Sequence, residues 1–428
     1  MIIQNVKGGY DFLPNEQKIR NYINDILKET FIEYGYESIE TPILCYYDIL
    51  SDKYDENNDI LKEIYKLKDQ GNRSLGLRYD LTIPFVKFIA LNKNKISFPF
   101  KRYEISKVFR DGPVKVGRDR EFTQCDVDVV GITGQFIEAE LLSLYVEAFK
   151  KLNIDIIIKY NSRNLMTGLI IESGVDESLV PSVTTILDKK DKLSKEELNN
   201  YLYELGLNNN QINKINKYFN MSLKELNNYK NNNEKIKIGL EEINNLDKYL
   251  KGINIDKYCK FDISLARGQN YYTGNVFEVY ERNGKITCAI GSGGRYDKIV
   301  GNFINDGNNY PTVGISFGLT PIYELLKNSD IFKSKSLIDI YIIPINTDIE
   351  SLKLGNSLRN MGYNVLIEMN NKKIKKSMEF ANKERIKYVI VLGEDEIKNK
   401  CFKIKNMFSG NEYEVNFNNL NKIKEIYE

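Results

Sequence analysis

Residues able to do chemistry gather in a few stretches of this 428-residue chain. In residues 101–131, KRYEISKVFRDGPVKVGRDREFTQCDVDVVG, one parity holds Arg102, Glu104, Ser106, Val108 and Arg110, then Phe122, Gln124, Asp126, Asp128 and Val130. The other parity holds Tyr103, Ile105, Lys107 and Phe109, then Thr123, Cys125, Val127 and Val129. Side chains alternate along a strand, so the pattern predicts two strands with one polar and one apolar face. The segment between them, 111–119, holds two glycines, a proline and the cations Lys115 and Arg118. It is too long for a tight turn and predicts a flexible basic hairpin loop. Arg110, Gln124 and Asp128 beneath such a loop would floor a site for a ligand both anionic and polar. A solvent-facing antiparallel sheet shows the same alternation.

Other stretches carry compatible chemistry. LRYDLTIP at 77–84 predicts a strand with Arg78, Asp80 and Thr82 on one face, and a helix starting at Pro84. A carboxylate beside a hydroxyl suits an ammonium group; an exposed Arg78–Asp80 pair is the plainer alternative. SLARGQNYYTGNVFEVY at 264–280 sets Arg267 before a glycine and Tyr271–Tyr272 before a strand. GSGGRYD at 291–297 permits close backbone approach to a ligand, or a tight turn. No Gly-Lys-Ser/Thr follows it, so it is not a phosphate-binding P-loop. PTVGISFGL at 311–319 places Gly314, Ser316 and Gly318 on one strand face, bare enough for a flat ring or another backbone.

The elements that must carry these residues are legible by period. Residues 14–34 predict a helix, with Ile19, Tyr22, Ile23, Ile26, Leu27 and Phe31 on one face, Pro14 in its first turn and Gly35 at its end. SIETPIL at 38–44 predicts a strand in which Pro42 implies an edge position or a bulge. Residues 51–70 are charged, polar and expected to be mobile. A helix is expected over 136–152 and a strand over 154–163. From 164 to 258 the chain turns Asn/Lys/Leu-rich with helical period, as in LSKEELNNYLYEL, and nothing there stands out chemically. Strands return at Phe261, and Thr320 with Pro321 would open a helix. After a polar linker the pattern alternates strand and helix from 337, the mark of a separate α/β domain. Its basic run Lys372, Lys373, Lys375 and Lys376 suits phosphate contacts or a solvated helix face.

Composition narrows the chemistry further. The chain has no histidine, which excludes Ser-His-Asp and Cys-His catalysis and every histidine-metal site. Net charge is +2, so nucleic-acid contacts must come from local patches. Cys45, Cys125, Cys259, Cys288 and Cys401 lack paired spacing, which predicts reduced thiols and no structural zinc. No apolar run is long enough to span a bilayer, and MIIQNVKGG lacks a signal-peptide pattern.

Taken in order, these stretches resemble the class II aminoacyl-tRNA synthetases and, within them, the histidyl-tRNA synthetase family, over nearly the whole chain. The 14–44 helix and strand match the first class motif, the hairpin with Arg110 the second, and PTVGISFGL with its helix the third. LRYDLT at 77–82, GRDREFTQCDVDVVG at 117–131 and LARGQNYYTG at 265–274 match the family's own stretches. The resemblance implies an α+β fold: a class II synthetase-type antiparallel sheet flanked by helices, an inserted helical domain and a C-terminal α/β anticodon-binding domain. Its domains would be a catalytic domain over 1–326 interrupted by the insertion at 164–258, a linker over 327–336, and the anticodon-binding domain over 337–428. It implies a cytoplasmic homodimer without membrane contact, acting on L-histidine, ATP and tRNA(His), with Mg2+ accompanying the ATP. Histidine and ATP would give histidyl-adenylate and pyrophosphate, and the histidyl group would then pass to the terminal adenosine of tRNA.

By position, the resemblance makes Arg110, Arg267 and Gln124 catalytic. The histidine site would comprise Asp80, Leu81, Thr82, Arg110, Gln124, Asp128, Arg267, Tyr271 and Tyr272. Within it, Asp80 and Thr82 would hold the ammonium, while Asp128 and Tyr272 would read the imidazole. Arg110, Arg118, Arg120, Gly314 and Gly318 would bind ATP; no metal ligand is assigned. The chain departs from the class pattern at Pro321, where an arginine usually stacks on adenine, and at Gly112, where an acidic residue usually stands two places after the motif arginine. Two rival readings are a non-catalytic regulatory subunit of ATP phosphoribosyltransferase, which the missing arginine favours, and a plain RNA-binding protein.

Overall fold

The structure is a computed structural model that describes residues 3–51, 59–114, 117–190, 193–267, 271–329, 336–370 and 372–427. The chain divides into two compact units, Met1–Lys327 and Asn328–Glu428. Strands of the first unit are β1 (Glu37–Ser38), β2 (Leu44–Tyr46), β3 (Lys66–Lys68), β4 (Ser74–Leu77), β5 (Phe100–Phe109), β6 (Glu121–Val130), β7 (Ile156–Ser162), β8 (Cys259–Phe261), β9 (Asn275–Glu281), β10 (Gly291–Arg295) and β11 (Thr312–Gly318). Eight of them form one sheet in the order β1-β5-β6-β11-β10-β9-β7-β8, and β2-β4-β3 form a small second sheet. The interior of the large sheet is antiparallel, while the edge pairs β1–β5 and β7–β8 are parallel.

The apolar parity of the hairpin faces helices. Pro14–Glu33 buries Ile19, Ile23, Leu27 and Phe31 at helical spacing and ends near Gly35, whose φ of 76° suits glycine. Phe136–Lys151 buries Leu141, Leu144, Tyr145, Ala148 and Phe149. Phe317 of β11 packs against Phe31, Tyr145 and Phe149, with ring centroids 5.5, 4.6 and 5.4 Å away. With that face filled, the polar parity is left to line a cavity.

Several local expectations change. Residues 38–44 are not one strand: β1 stops at Ser38, and β2, in the other sheet, starts at Leu44. Between them the amide and hydroxyl of Thr41 both donate to Glu104, which removes that amide from any ladder. Pro42 has no amide to offer. The polar stretch expected to be mobile contains the helix Asp59–Glu63 and β3, while 52–58 lie outside the described residues. Residues 77–84 are strand only at Leu77; the following helix, Thr82–Asn92, starts two residues before Pro84. Asp80 accepts from the Ile83 amide at 3.1 Å and so opens that helix in place of a strand. The Arg78–Asp80 surface pair does not form, since Arg78 is fully buried and bonds Glu104 (2.9 Å) and the Thr41 carbonyl (2.7 Å). Residues 291–295 are an interior strand, not a turn. The third-motif helix, Leu319–Leu326, begins one residue before Thr320. Phe136, which opens the helix expected over 136–152, is exposed.

Between β7 and β8 the chain is helical, with Arg163–Glu172, Val180–Leu187, Lys195–Glu204, Asn209–Tyr218, Leu223–Asn228 and Glu234–Gly252. The first and last of these touch backbone to backbone. A Cβ on Gly239 would lie 2.2 Å from the Leu165 nitrogen, and one on Gly168 2.7 Å from the Ile236 nitrogen. Capping boxes at Ser194, Asn208 and Ser222 start three of the helices.

The second unit has β12 (Ile340–Pro344), β13 (Val365–Ile367), β14 (Tyr388–Leu392), β15 (Cys401–Asn406) and β16 (Glu412–Asn416) in the order β13-β12-β14-β15-β16. Its core gathers Ile340, Ile342, Leu354, Leu358, Ile390, Phe402 and Ile404. The alternation read from residue 337 onward therefore corresponds to a parallel three-strand half carrying an antiparallel pair. Lys372 ion-pairs with Glu368 at 3.3 Å.

The Gly239 contact makes a sign test. Gly→Ala inside a helix is normally worth up to about 1 kcal/mol of added stability. Here Gly239→Ala is expected to lower stability by about 1–3 kcal/mol through overpacking, measured as a lower urea midpoint at unchanged m-value. A higher midpoint would show that the two helices can part freely.

Candidate active site

The register of the large sheet lays out the polar face in rows. Arg102, Asp128, Gly314 and Gly294 are cross-strand partners in one row. Glu104, Asp126, Ser316, Ser292 and Glu278 form the next. Ser106, Gln124 and Gly318 form a third. A cavity of about 210 Å3 stands on these rows, lined also by Asp80, Thr82, Arg110, Phe122, Arg267, Tyr271, Tyr272 and Tyr296.

Asp128 sits at the buried end. Arg102 Nη2 lies 2.5 Å from its Oδ2, and the Tyr296 hydroxyl donates to its Oδ1. Arg102 is itself fully buried, with its guanidinium 4.2 Å from the centre of the Phe85 ring. Burial pushes the Asp128 carboxyl up, and Arg102 and the Tyr296 hydroxyl pull against that. The bare backbone of Gly314 is explained by the same carboxylate: a Cβ there would fall 1.8 Å from Asp128 Oδ1. The room above Gly314 therefore belongs to Asp128.

Asp80, Gln124 and Asp126 form a second polar group. Gln124 Nε2 is 3.3 Å from both Asp126 Oδ1 and Ser316 Oγ. Asp80 Oδ2 and Gln124 Oε1 are buried acceptors without a hydrogen-bond partner among the described residues. Burial raises the Asp80 carboxyl, opposed by the Ile83 amide and by Arg110. Burial, with Asp128 adding to it, pushes the Asp126 carboxyl up to about 7. Two carboxyls this close and this dry resist ionising together.

Arg110 lies between the Tyr79 and Phe122 rings, at 4.3 and 4.8 Å, and its Nε donates to the Tyr79 carbonyl at 3.3 Å. Arg118 and Arg120 are not among the lining residues. Arg118 pairs with Glu63, and Arg120 with Asp111 at 3.3 Å. Lys115 lies outside the described residues. Leu81 is fully buried and reaches the site only through its carbonyl, 3.4 Å from Arg102 Nη2. Gly318 is a lining residue, and a Cβ on it would fall 2.8 Å from the Pro321 ring.

Arg267 stands over the second row. Its guanidinium pairs with Glu278 and donates to Ser292 Oγ at 3.1 Å. Glu278 also accepts from the Tyr280 hydroxyl. Burial raises the Tyr272 phenol, opposed by nearby Arg267, so Tyr272 is a neutral hydroxyl. Asp80, Thr82, Arg110, Gln124, Asp128, Arg267, Tyr271, Tyr272, Gly314 and Gly318 thus meet in one cavity, while Leu81, Arg118 and Arg120 stand outside its lining.

The sequence reading missed Arg102, Asp126, Tyr296, Glu278 and Ser292 as parts of the site. A signal existed for Asp126 and Arg102, which share the parity of Gln124 and Asp128. Tyr296 lay in a stretch noticed only for its glycines. That stretch proves to be a brace: Arg295 pairs with buried Glu138 at 2.5 Å, and Asp297 accepts from the Thr312 amide at 2.8 Å. Among the described residues no group of three or more Cys, Asp or Glu side chains is disposed to hold a metal.

Residues 8–322 match the family model for histidyl-tRNA synthetase, and residues 339–425 match the anticodon binding domain. The chain is 43% identical to "Histidine--tRNA ligase 2" of Shouchella clausii over 418 residues, covering 97% of this chain and 98% of that one. It is also 43% identical to "Histidine--tRNA ligase 1" of Bacillus cereus over 424 residues, covering 98% and 99%. The crystal structure of histidyl-tRNA synthetase from Nostoc sp. PCC 7120 superposes over the full length of both chains with a TM-score of 0.86 at 28% identity. A Bacillus halodurans structure described as an ATP phosphoribosyltransferase regulatory subunit/histidyl-tRNA synthetase shares the fold, with a TM-score of 0.77 at 21% identity over 92% of this chain and 98% of that one. The chain belongs to the histidyl-tRNA synthetase family.

Proposed function

We propose that this histidine–tRNA ligase holds its amino acid with the imidazole at Asp128 and Tyr272 and the ammonium toward Asp80, Thr82 and Gln124. The observation that carries this reading is the buried Asp128 carboxyl, with Arg102 against one oxygen and the Tyr296 hydroxyl on the other. It accepts from one imidazole nitrogen, and the neutral Tyr272 hydroxyl meets the other. Side chains lacking those nitrogens leave both groups unpaired, a strong basis for rejection. The unpartnered Asp80 Oδ2 and Gln124 Oε1 receive the ammonium.

In the first step a histidine carboxylate oxygen attacks the α-phosphorus of ATP, and pyrophosphate leaves. Arg110 and Arg267 flank the reacting groups and stabilise charge as it moves onto the α-phosphate oxygens. Gln124 orients the carboxylate. In the second step a ribose hydroxyl of the terminal tRNA adenosine attacks the adenylate carbonyl, and AMP leaves. Mg2+ accompanying the nucleotide would neutralise charge on its phosphates. On the adenine side Pro321 supplies no cation, and Phe122 offers a flat ring already lining the cavity. Arg118 and Arg120 act from outside the cavity, on ATP or tRNA phosphates, by exchanging Glu63 and Asp111 for them.

The catalytic domain spans 1–326 with its insertion at 164–258, and 337–428 reads the anticodon, Lys372, Lys373, Lys375 and Lys376 supplying phosphate contacts. The enzyme works as a cytoplasmic homodimer. Supporting this, no helix among the described residues is long and apolar enough to cross a membrane, all five cysteines are free, and Leu44, Tyr46 and Leu67 of the small sheet are exposed. The regulatory-subunit reading has no observation in its favour beyond Pro321; a histidine-binding regulator needs neither Arg110 and Arg267 at the cavity nor an anticodon reader.

The purified chain is expected to exchange labelled pyrophosphate into ATP only with histidine present; no exchange with any amino acid would return the regulatory reading. Gly314→Ala should expel the Asp128 carboxylate and raise KM for histidine roughly 10- to 100-fold, the worth of a charged hydrogen bond. KM for ATP should hardly change; an equal rise would return Gly314 to the adenine side.

A pH test follows from Asp126. Its carboxyl stands at about 7 when folded and in the ordinary carboxylate range when unfolded, so folding takes up a proton between those values. Stability should then fall as pH rises through that window. Asp126→Asn should flatten the fall in urea midpoints between about pH 4 and about pH 8. An unchanged slope would mean that Asp126 is ionised throughout.

A further inference from the structure

Arg267 has a backbone φ of 61°, a left-handed conformation that residues with a Cβ rarely adopt. The chain leading to it is held from both sides. Asn161, buried at the end of β7, donates from Nδ2 to the Ile263 and Leu265 carbonyls at 2.9 Å each. Arg163 Nη1 lies 3.4 Å from the Ala266 carbonyl. On the opposite side, Asp188 Oδ1 accepts from the amides of both Ala266 (3.3 Å) and Arg267 (3.2 Å). Two successive amides on one carboxylate oxygen fix the Ala266–Arg267 peptide plane immediately before the left-handed residue. Asp188 is the residue that ends the helix Val180–Leu187, inside the helical insertion, and its own amide bonds the Thr184 carbonyl at 3.0 Å.

We infer that Asp188 is a positioning residue for adenylate formation: the insertion reaches into the active site through it and sets the backbone from which Arg267 is aimed. The guanidinium has its own brace, Glu278 and Ser292 on β9 and β10. That brace can be reached only if the side chain leaves the backbone in the right direction. Asp188 supplies that direction by holding the Ala266–Arg267 peptide plane, and with it the Arg267 Cα, in place. With the acceptor removed, the amides lose their partner and the peptide plane is free to turn, carrying the guanidinium off the second row. Asp188 is not among the residues lining the cavity and meets Arg267 at its backbone amide, so its effect falls on turnover more than on histidine binding. The inference rests on the catalytic assignment of Arg267.

The test uses the full chain and four variants: Asp188→Ala, Asp188→Asn, Arg267→Ala, and Asp188→Ala with Arg267→Ala together. Each is assayed by histidine-dependent pyrophosphate exchange, giving kcat and KM, and by thermal melting. Asp188→Ala is expected to lose about 100-fold in kcat, the scale of a misplaced catalytic group, with little change in KM for histidine. Asp188→Asn keeps an oxygen acceptor and should recover most of the loss. In the double variant the Asp188 change should cost nothing beyond Arg267→Ala, because both act through one guanidinium. A full kcat in Asp188→Ala beside an inactive Arg267→Ala would overturn the positioning role alone. A full kcat in Arg267→Ala would overturn the catalytic assignment beneath it. Should Asp188→Ala melt below the assay temperature, Asp188→Asn decides: wild-type kcat supports the acceptor role, and a 100-fold loss despite a wild-type melting temperature overturns it.

Discussion

The site depends on a single buried ion pair. Arg102 and Asp128 face each other across β5 and β6, both almost wholly out of water. Either charge alone would be expensive there, and removing one partner of such a pair typically costs about 3–5 kcal/mol. Together they form a fixed dipole at the closed end of the cavity. The rest is arranged to tolerate it. Glycine at 314 gives the carboxylate room, Tyr296 takes one of its oxygens, and the Phe85 ring lies against the guanidinium. A neutral pair of the same size would fill the space more cheaply. What the pair adds is an oriented acceptor in a dry pocket, the property the proposed imidazole contact requires.

The same logic extends outward in rings. Glu104 holds Arg78 and Thr41, and in doing so ends β1 and redirects the chain into the small sheet. Glu138 holds Arg295 and Asn275 beneath the glycine-rich strand, so that β9 and β10 are tied at the point where Tyr296 leaves the sheet. The reactive cations Arg110 and Arg267 are placed differently. Arg110 rests on aromatic faces and a carbonyl and meets no carboxylate at contact distance among the described residues. It therefore keeps its charge available to an anion. Arg267 is braced by Glu278, Ser292 and, through its backbone, the insertion.

Where the chain departs from the class pattern, the structure shows a compact local solution. A Cβ on Gly318 would fall 2.8 Å from the Pro321 ring, so the start of the helix Leu319–Leu326 is closely packed there. Pro321 lies beside the lining residue Gly318, and the residues proposed for the imidazole and ammonium line the same cavity. A chain with no histidine of its own needs none of the charged tRNA it would make for its own synthesis.

Much of this was legible before any coordinates. The hairpin was readable because side-chain parity is a property of the covalent chain, and both arms repeat it for ten residues. Helix 14–33, the helical insertion and the second unit were readable for the same reason. Residues 38–44 and 77–84 were misread because their amides are claimed from elsewhere: Thr41 by Glu104, and Ile83 by an Asp80 carboxylate that caps instead of alternating. The stretch 291–297 looked like a turn because glycine signals turns; here it admits neighbours. Asp188 was invisible, one acid in a lysine-rich helix end, until the fold set it against residues 78 and 79 positions later. Period and residue type are local and survive in the sequence. Burial, charge state and the partner of each polar group are set by contacts between distant segments, and only the tertiary structure brings those into being.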